Sequence, residues 1–123
     1  MKTLFFGIIL ASCFSINACK GVSVKESFTK TDIKELVKSS DVILVDLRTA
    51  EQYAEETAEG AINIPLAEIE NKTESLKGKK VVVFGNKGIQ ADKAVEILKK
   101  NDVEVYDGTS LKNVKAIQDL HKQ

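Results

Sequence analysis

The sequence has few of the residues on which catalytic and metal sites are usually built. Its 123 residues include one histidine, two cysteines and no tryptophan. Both cysteines, Cys13 and Cys19, lie before residue 20, so the rest of the chain carries no thiol. Clusters of cysteine and histidine are the usual ligands of zinc, and paired cysteines form disulfide frameworks. The sequence therefore predicts neither kind of site, and we expect no metal and no cofactor.

Arginine and net charge are scarce as well. Arg48 is the single arginine, and 18 basic residues balance 18 acidic residues to a formal net charge of zero. Nucleic-acid binding relies on basic patches, and bidentate recognition of phosphate depends mainly on arginine. We expect no nucleic-acid partner. Hydrophobic residues at 43% and charged residues at 29% indicate one globular domain instead.

The first residues differ from the rest of the chain. Lys2 is followed by an apolar run from Leu4 to Ala11, which is typical of the charged start and hydrophobic stretch of a secretory signal. The run is too short for a membrane-spanning helix. With the cysteines that follow, the stretch resembles a bacterial lipoprotein signal, in which a cysteine is lipidated and becomes the mature N-terminus.

Either cysteine could carry this lipid. Cys13 ends the better motif, LASC, but leaves a very short signal, whereas Cys19 ends a looser motif, INAC, at an ordinary distance. We favour Cys19, and the third alternative is a protein without a lipid that is exported or held in the membrane. The chain then divides into a signal at residues 1–18, a tether at 19–27 and a domain at 28–123. The expected location is the cell envelope, with the membrane as a partner through the lipid.

Apolar runs and amphipathic segments alternate through the domain. DVILVDLR and KKVVVF are continuous apolar runs typical of strands buried on both faces. Shorter strands are predicted in EGAINIP, in DVEVYDG and at the end of residues 20–28. The segments between them have helical spacing, and one begins with a capping box formed by Thr49 and Gln52. This alternation predicts an α/β domain, with a central parallel sheet of about five strands and helices on both faces.

Two stretches carry a resemblance to a known family. DVILVDLRTAEQYAEETAEGAINIPLAEI contains an Asp-x-Arg string, a helix and a Gly-Ala-Ile-Asn-Ile-Pro string, and KKVVVFGNKGIQADKAVEILKKNDVEVYDG follows as strand, loop, helix, strand and turn. Together they resemble the rhodanese-like domain family over about residues 28–115. The resemblance implies a structural role for the pair Asp46 and Arg48. The residues that match the signature are Asp46, Arg48, Gly60, Asn63 and Pro65.

The departures from the family pattern fall in the active site. Rhodanese enzymes attack thiosulfate with a cysteine at the end of a strand, and the resemblance puts Gly85 at that position and Gln90 at that of a loop arginine. The family string Gly-His-Ile-Pro-Gly is Glu-Thr-Ala-Glu-Gly at residues 56–60. Only a thiolate can hold the transferred sulfur as a persulfide, so no catalytic residue is expected. The degenerate loop comprises Gly85, Asn86, Lys87, Gly88, Ile89, Gln90 and Ala91.

Two classes of function follow from this pattern. We expect a non-catalytic binding or scaffold module with an unidentified protein partner, and the alternative is a sulfurtransferase that depends on a partner's cysteine. A weakly bound anion at the loop is also open, because the amides at a helix N-terminus favour negative charge and Lys87 would add to it. Asp92, expected in the first turn of that helix, would oppose such an anion and favours a purely structural loop.

Overall fold

The computed structural model describes residues 32–120 and residue 122. The predicted signal, the tether and the short strand at the end of residues 20–28 lie outside the described residues, as does His121.

Nine regular helices and strands and one 3₁₀ segment make up the described part of the chain. In chain order they are α1 (Ile33–Lys38), β1 (Val42–Asp46), α2 (Ala50–Glu55), β2 (Ile62–Asn63), a 3₁₀ segment (Leu66–Lys72), α3 (Thr73–Leu76), β3 (Lys80–Gly85), α4 (Gly88–Lys100), β4 (Glu104–Ser110) and α5 (Leu111–Leu120). None of the described helices is long and apolar enough to cross a bilayer.

The strands form one parallel sheet in the order β2-β1-β3-β4. This confirms the predicted parallel α/β architecture. The described residues contribute four strands rather than about five, because the first predicted strand falls outside them. In the central pair, Asp46 lies beside Phe84, so β1 and β3 end at the same edge of the sheet.

Both faces of the sheet are buried, as the continuous apolar runs predict. In β3, Val81 and Val83 belong to a core on one face, and Val82 and Phe84 belong to a core on the other. All four are fully buried. Helix α4 and the segment before β3 cover the first face, and α1 and α5 cover the second. The alternation of strand side chains therefore accounts for helices on both sides.

Local capping fixes where several helices begin. Asp32 accepts a hydrogen bond from the amide of Lys34 at the start of α1, and the predicted capping box between Thr49 and Gln52 is confirmed at the start of α2. Helix α4 differs, because its N-cap residue, Lys87, offers no side-chain acceptor to the first turn. The start of α4 thus depends on other contacts, which are described below.

The second residue after α4, Asp102, is a site where stability can be raised. Asp102 has a φ of 61°, in the left-handed region, and its amide donates to the carbonyl of Lys99 at 3.1 Å. Glycine adopts this conformation without the cost that a Cβ imposes. Relief of a left-handed backbone contributes about 1–2 kcal/mol, and the greater freedom of glycine in the unfolded chain offsets about 0.4–1 kcal/mol of it. We therefore expect Asp102→Gly to raise the free energy of unfolding by about 0.5–1 kcal/mol, measured by urea denaturation.

The neighbouring position provides the control for this prediction. Asn101 has a φ of −104°, and its side chain donates to the carbonyl of Ile97 at 2.8 Å. Asn101→Gly should lower stability, because it loses that bond and gains no conformational advantage. Equal changes in the two variants would contradict the explanation.

Candidate functional site

The candidate site lies where β1 and β3 end side by side. Asp46 is the last residue of β1, and Gly85 is the last residue of β3. Ligands of parallel α/β folds bind beyond the carboxyl ends of the strands. The segment after β1 supplies Arg48, and the segment after β3 supplies the loop that opens α4.

The Asp46 carboxylate is the centre of a closed hydrogen-bond network. Its Oδ1 accepts from the backbone amide of Arg48 at 3.0 Å and from Arg48 Nε at 2.9 Å. Its Oδ2 accepts from Arg48 Nη2 at 2.7 Å and from Thr57 Oγ1 at 2.7 Å. Asp46 is 0% exposed and Arg48 is 7% exposed. Four donors thus occupy the carboxylate, which leaves it little capacity to act as a base.

Arg48 also holds the backbone of the following segment. Its Nη2 donates to the carbonyls of Gln52 and Glu56. The hydrogen bond to Asp46 is the largest cause that raises the pKa of the Arg48 guanidinium, so the group is always charged. The guanidinium therefore lies inside the protein as a structural cation and is not presented to a ligand.

The other signature residues tie the same region together. Asn63 Nδ2 donates to the carbonyls of Asp46 and Arg48, both at 3.0 Å. Gly60 makes the turn before β2 with a φ of 80°, and Pro65 directly precedes the 3₁₀ segment. The structure thus brings Asp46, Arg48 and Asn63 into direct contact, and it places Gly60 and Pro65 at the two ends of β2.

The loop after β3 begins and ends with buried residues and exposes side chains between them. Gly85 is buried, Asn86 and Lys87 are exposed, Gly88 opens α4, and Ala91 packs in the core. Ile89 is one of the large apolar side chains that the described surface exposes, at 66%. The exposed face of this loop is therefore formed by one polar, one charged and one apolar side chain, those of Asn86, Lys87 and Ile89.

Gln90 fills the space beside Gly85. A Cβ added to Gly85 would lie 2.2 Å from Gln90 Oε1 and 2.7 Å from Gln90 Cβ, well inside any real contact. The same Oε1 accepts a hydrogen bond from the backbone amide of Asn86 at 2.6 Å. The loop at which a weakly bound anion was the open alternative therefore already has a protein oxygen on one of its amides.

The side-chain amides of Gln52 and Asn86 link the loop to α2. Gln52 Nε2 lies 3.5 Å from Asn86 Oδ1, and Asn86 Nδ2 lies 3.4 Å from Gln52 Oε1. Gln52 Oε1 also accepts from the amide of Thr49 at 3.2 Å as part of the capping box. Neutral side-chain amides therefore connect the start of α2, the loop and the start of α4.

One sequence-based expectation about this loop is wrong. Asp92 is not in the first turn of α4, because the helix already begins at Gly88. Asp92 instead bonds to the side chain of Asp107, whose pKa is raised first by burial and then by this contact. Asp107 also accepts from the amide of Thr109 at 2.8 Å. Asp92 therefore contacts β4, and Gln90 rather than Asp92 supplies the acceptor to the loop.

Metal ligands do not gather in the part of the chain that the structure describes. No group of three or more His, Cys, Asp or Glu side chains there could hold an ion. The acidic residues of the α2–β2 segment have partners on α5, where Lys115 pairs with Glu56 and Gln118 bonds to the backbone of Glu59. Lys115 lowers the pKa of Glu56. These contacts give the acidic segment a role in docking α5.

Comparison with known proteins decides the family. The sequence model of the rhodanese-like domain family matches residues 29–115. The chain belongs to the rhodanese-like domain family. The match includes both the Asp46 network and the loop after β3, so the site described above lies within the part of the chain that matches the family.

Two matches from Escherichia coli illustrate the rhodanese relationship. The chain is 42% identical over 57 residues to thiosulfate sulfurtransferase PspE of strain K12, an alignment that covers 44% of this chain and 55% of PspE. It thus spans little more than half the length of that relative. A solved structure described as a rhodanese with anions from E. coli is 36% identical, with a TM-score of 0.55 over 58% of this chain and 89% of that one.

A third relative shows how far the fold extends. The rhodanese-like domain of the Anabaena protein Alr3790 is 25% identical and superposes with a TM-score of 0.57, covering 62% of this chain and 92% of that domain. Nearly the whole of that domain is thus matched by this chain. The rhodanese fold is therefore present here largely in full.

Sequence reasoning missed Thr57 as a side chain of the site and the inward direction of Gln90. Thr57, which donates to Asp46, lies in the Glu-Thr-Ala-Glu-Gly string where the resemblance shows a departure, and that departure was a usable signal. The direction of Gln90 had no such signal. From the sequence, the Gln90 side chain could point either to solvent or to the end of β3. It points to the end of β3 because the first turn of α4 lies close to Gly85.

Proposed function

We propose that this protein is a non-catalytic rhodanese-like domain that acts as a binding or scaffold module at the cell envelope, held to the membrane by a lipid on Cys19. Its partner is a protein, and its domain faces the periplasm or the exterior. The alternative is a sulfurtransferase whose nucleophilic cysteine belongs to a partner. Two features of the described residues favour the first function.

The main support is the space beside Gly85. By resemblance this is the position of the rhodanese cysteine, and Gln90 Oε1 and Cβ occupy the volume that its side chain would need. Sulfur transfer requires a thiolate as nucleophile and carrier, and the chain has no cysteine beyond residue 19. The described site therefore has neither the reacting atom nor room for it.

The second support is the state of the charged pair. Asp46 and Arg48 are both buried and fully engaged with each other and with the backbone. A catalytic acid, base or anion-binding arginine needs access to the substrate. The buried Asp46–Arg48 pair instead stabilises the fold. Its contribution to stability accounts for the presence of both residues, and no catalytic role is needed to explain them.

A thiosulfate:cyanide assay tests the proposed function. The purified full-length protein should produce thiocyanate no faster than a heat-inactivated sample, with PspE assayed in parallel as the positive control. Steady turnover above the heat-inactivated sample would overturn the non-catalytic function. Turnover that appears only when a cell-envelope extract is added, and that requires this protein, would establish the partner-dependent alternative.

Metabolic labelling with a clickable fatty acid tests the anchor. We expect the wild-type protein to be labelled, Cys19→Ala to lose the label, and Cys13→Ala to keep it as the matched control. Both substitutions lie outside the described residues. The reverse pattern would show that Cys13 carries the lipid, and absence of label from the wild-type protein would contradict a lipid anchor.

A further inference from the structure

Gln90 has an unusual position for a residue in the first turn of a helix. It is the third residue of α4, where a glutamine side chain commonly reaches back to the amide of the N-cap residue. Here the N-cap residue is Lys87, but Gln90 reaches one residue further, to the amide of Asn86. Its side chain is half-buried and lies against the end of β3.

We propose that Gln90 is an internal plug that takes the place of a ligand: its amide oxygen holds the loop amide of Asn86, and its stem occupies the pocket beside Gly85. This inference rests on the proposed function and states how the loop remains folded without a substrate. The Asn86 amide lies on the exposed side of the loop, and Gln90 supplies it with a protein acceptor in place of solvent.

The position of the α4 backbone, and not only the Gln90 side chain, supports this proposal. Gln90 Cβ lies 2.7 Å from the position that a Cβ on Gly85 would take, and a Cβ cannot be moved by rotating the side chain. The first turn of α4 has therefore approached the strand end more closely than any residue other than glycine at position 85 allows. The inward glutamine at position 90 therefore requires glycine at position 85.

The contact with α2 closes the plug from the outside. Asn86, whose amide Gln90 holds, also faces Gln52 through the pair of side-chain amides. An incoming small oxyanion would have to displace Gln90 Oε1 from Asn86 before it could take that amide. The plug thus predicts a loop that is closed to small anions in the wild-type protein.

Hydrogen exchange of the Asn86 amide, followed by NMR on the full-length protein, tests this. Gln90→Met keeps the length of the side chain and removes the acceptor, so exchange at Asn86 should be about fivefold faster or more. Gln90→Glu keeps an acceptor oxygen and should retain the protection. The buried amides of Val82 and Val83 serve as the internal control, because they report whether the fold is intact.

Three outcomes would overturn the plug. They are unchanged exchange at Asn86 in a folded Gln90→Met, lost protection in a folded Gln90→Glu, and a saturable shift of the Asn86 amide when the wild-type protein is titrated with thiosulfate. The exchange measurement needs no activity. Turnover of thiosulfate by the wild-type protein would contradict the proposed function. The exchange data would still test the role of Gln90, so failure of the one can be distinguished from failure of the other.

Discussion

Gly85→Cys is expected to lower the free energy of unfolding by about 1–3 kcal/mol and to leave thiosulfate:cyanide activity at the wild-type level. The new Cβ would lie 2.2 Å from Gln90 Oε1 and 2.7 Å from Gln90 Cβ, so the first turn of α4 must move to admit it. Restoring the missing thiol therefore does not restore a pocket around it. Urea denaturation and the thiocyanate assay measure the two effects.

Gly88→Ala is the matched control for this substitution. It adds a Cβ to the same loop, but the nearest atom is Thr109 Cγ2 at 3.5 Å, which is an ordinary contact. Alanine also favours a helical position over glycine, so Gly88→Ala should be neutral or stabilising. A stable, active Gly85→Cys would show that the loop opens without cost and that Gln90 is no obstacle.

A double-mutant cycle can separate the clash from other effects. Gln90→Gly removes the Cβ and the side chain that a residue at 85 would meet, although it also loses the bond to Asn86. The pair Gly85→Ala and Gln90→Gly should therefore be more stable than the sum of the single changes predicts, by about 1 kcal/mol or more. Additive effects would mean that the two positions are independent.

Arg48→Met is expected to have the largest effect on stability, a loss of about 3–5 kcal/mol in the free energy of unfolding. The substitution leaves the Asp46 carboxylate buried, at 0% exposure, without its cation. It also removes the donors to the carbonyls of Gln52 and Glu56. The total free energy of unfolding of a small domain is only about 5–15 kcal/mol, so the variant should unfold at a much lower urea concentration than the wild-type protein.

Lys77→Met provides the comparison for Arg48→Met. Lys77 forms an ion pair with Glu74 at 2.8 Å, but the two side chains are 42% and 83% exposed. Exposed pairs contribute about 0–1 kcal/mol, so this variant should be nearly as stable as the wild-type protein. Similar losses in the two variants would mean that burial of the Asp46–Arg48 pair is not what makes it important.

Much of the fold could be predicted from the sequence because its signals are local. The continuous valine-rich runs that became β1 and β3 indicate strands buried on both faces, and the structure places cores on both sides of β3. The capping box of Thr49 and Gln52 depends on four consecutive residues and was likewise predictable. The order of the elements along the chain followed from the same local patterns, and the family resemblance then indicated which strand and loop form the candidate site.

The details of the loop could not be predicted, because they depend on tertiary distances. Asp92 was expected in the first turn of α4, but the helix begins early enough to place it one turn later, and boundary errors of a few residues are ordinary. The inward direction of Gln90 follows from how closely α4 approaches Gly85. The sequence shows glycine where the resemblance leads one to expect a cysteine, but not which side chain occupies the space beside that glycine.

Sulfur loading from thiosulfate is the most direct test of whether this domain is catalytic. Full-length wild-type protein and a Cys13→Ser/Cys19→Ser variant, which has no thiol, would be incubated with thiosulfate radiolabelled in its outer sulfur and then freed of small molecules. We predict no protein-bound label that cyanide can release from either protein. Label approaching one sulfur per chain, released by cyanide as thiocyanate, would contradict the non-catalytic function.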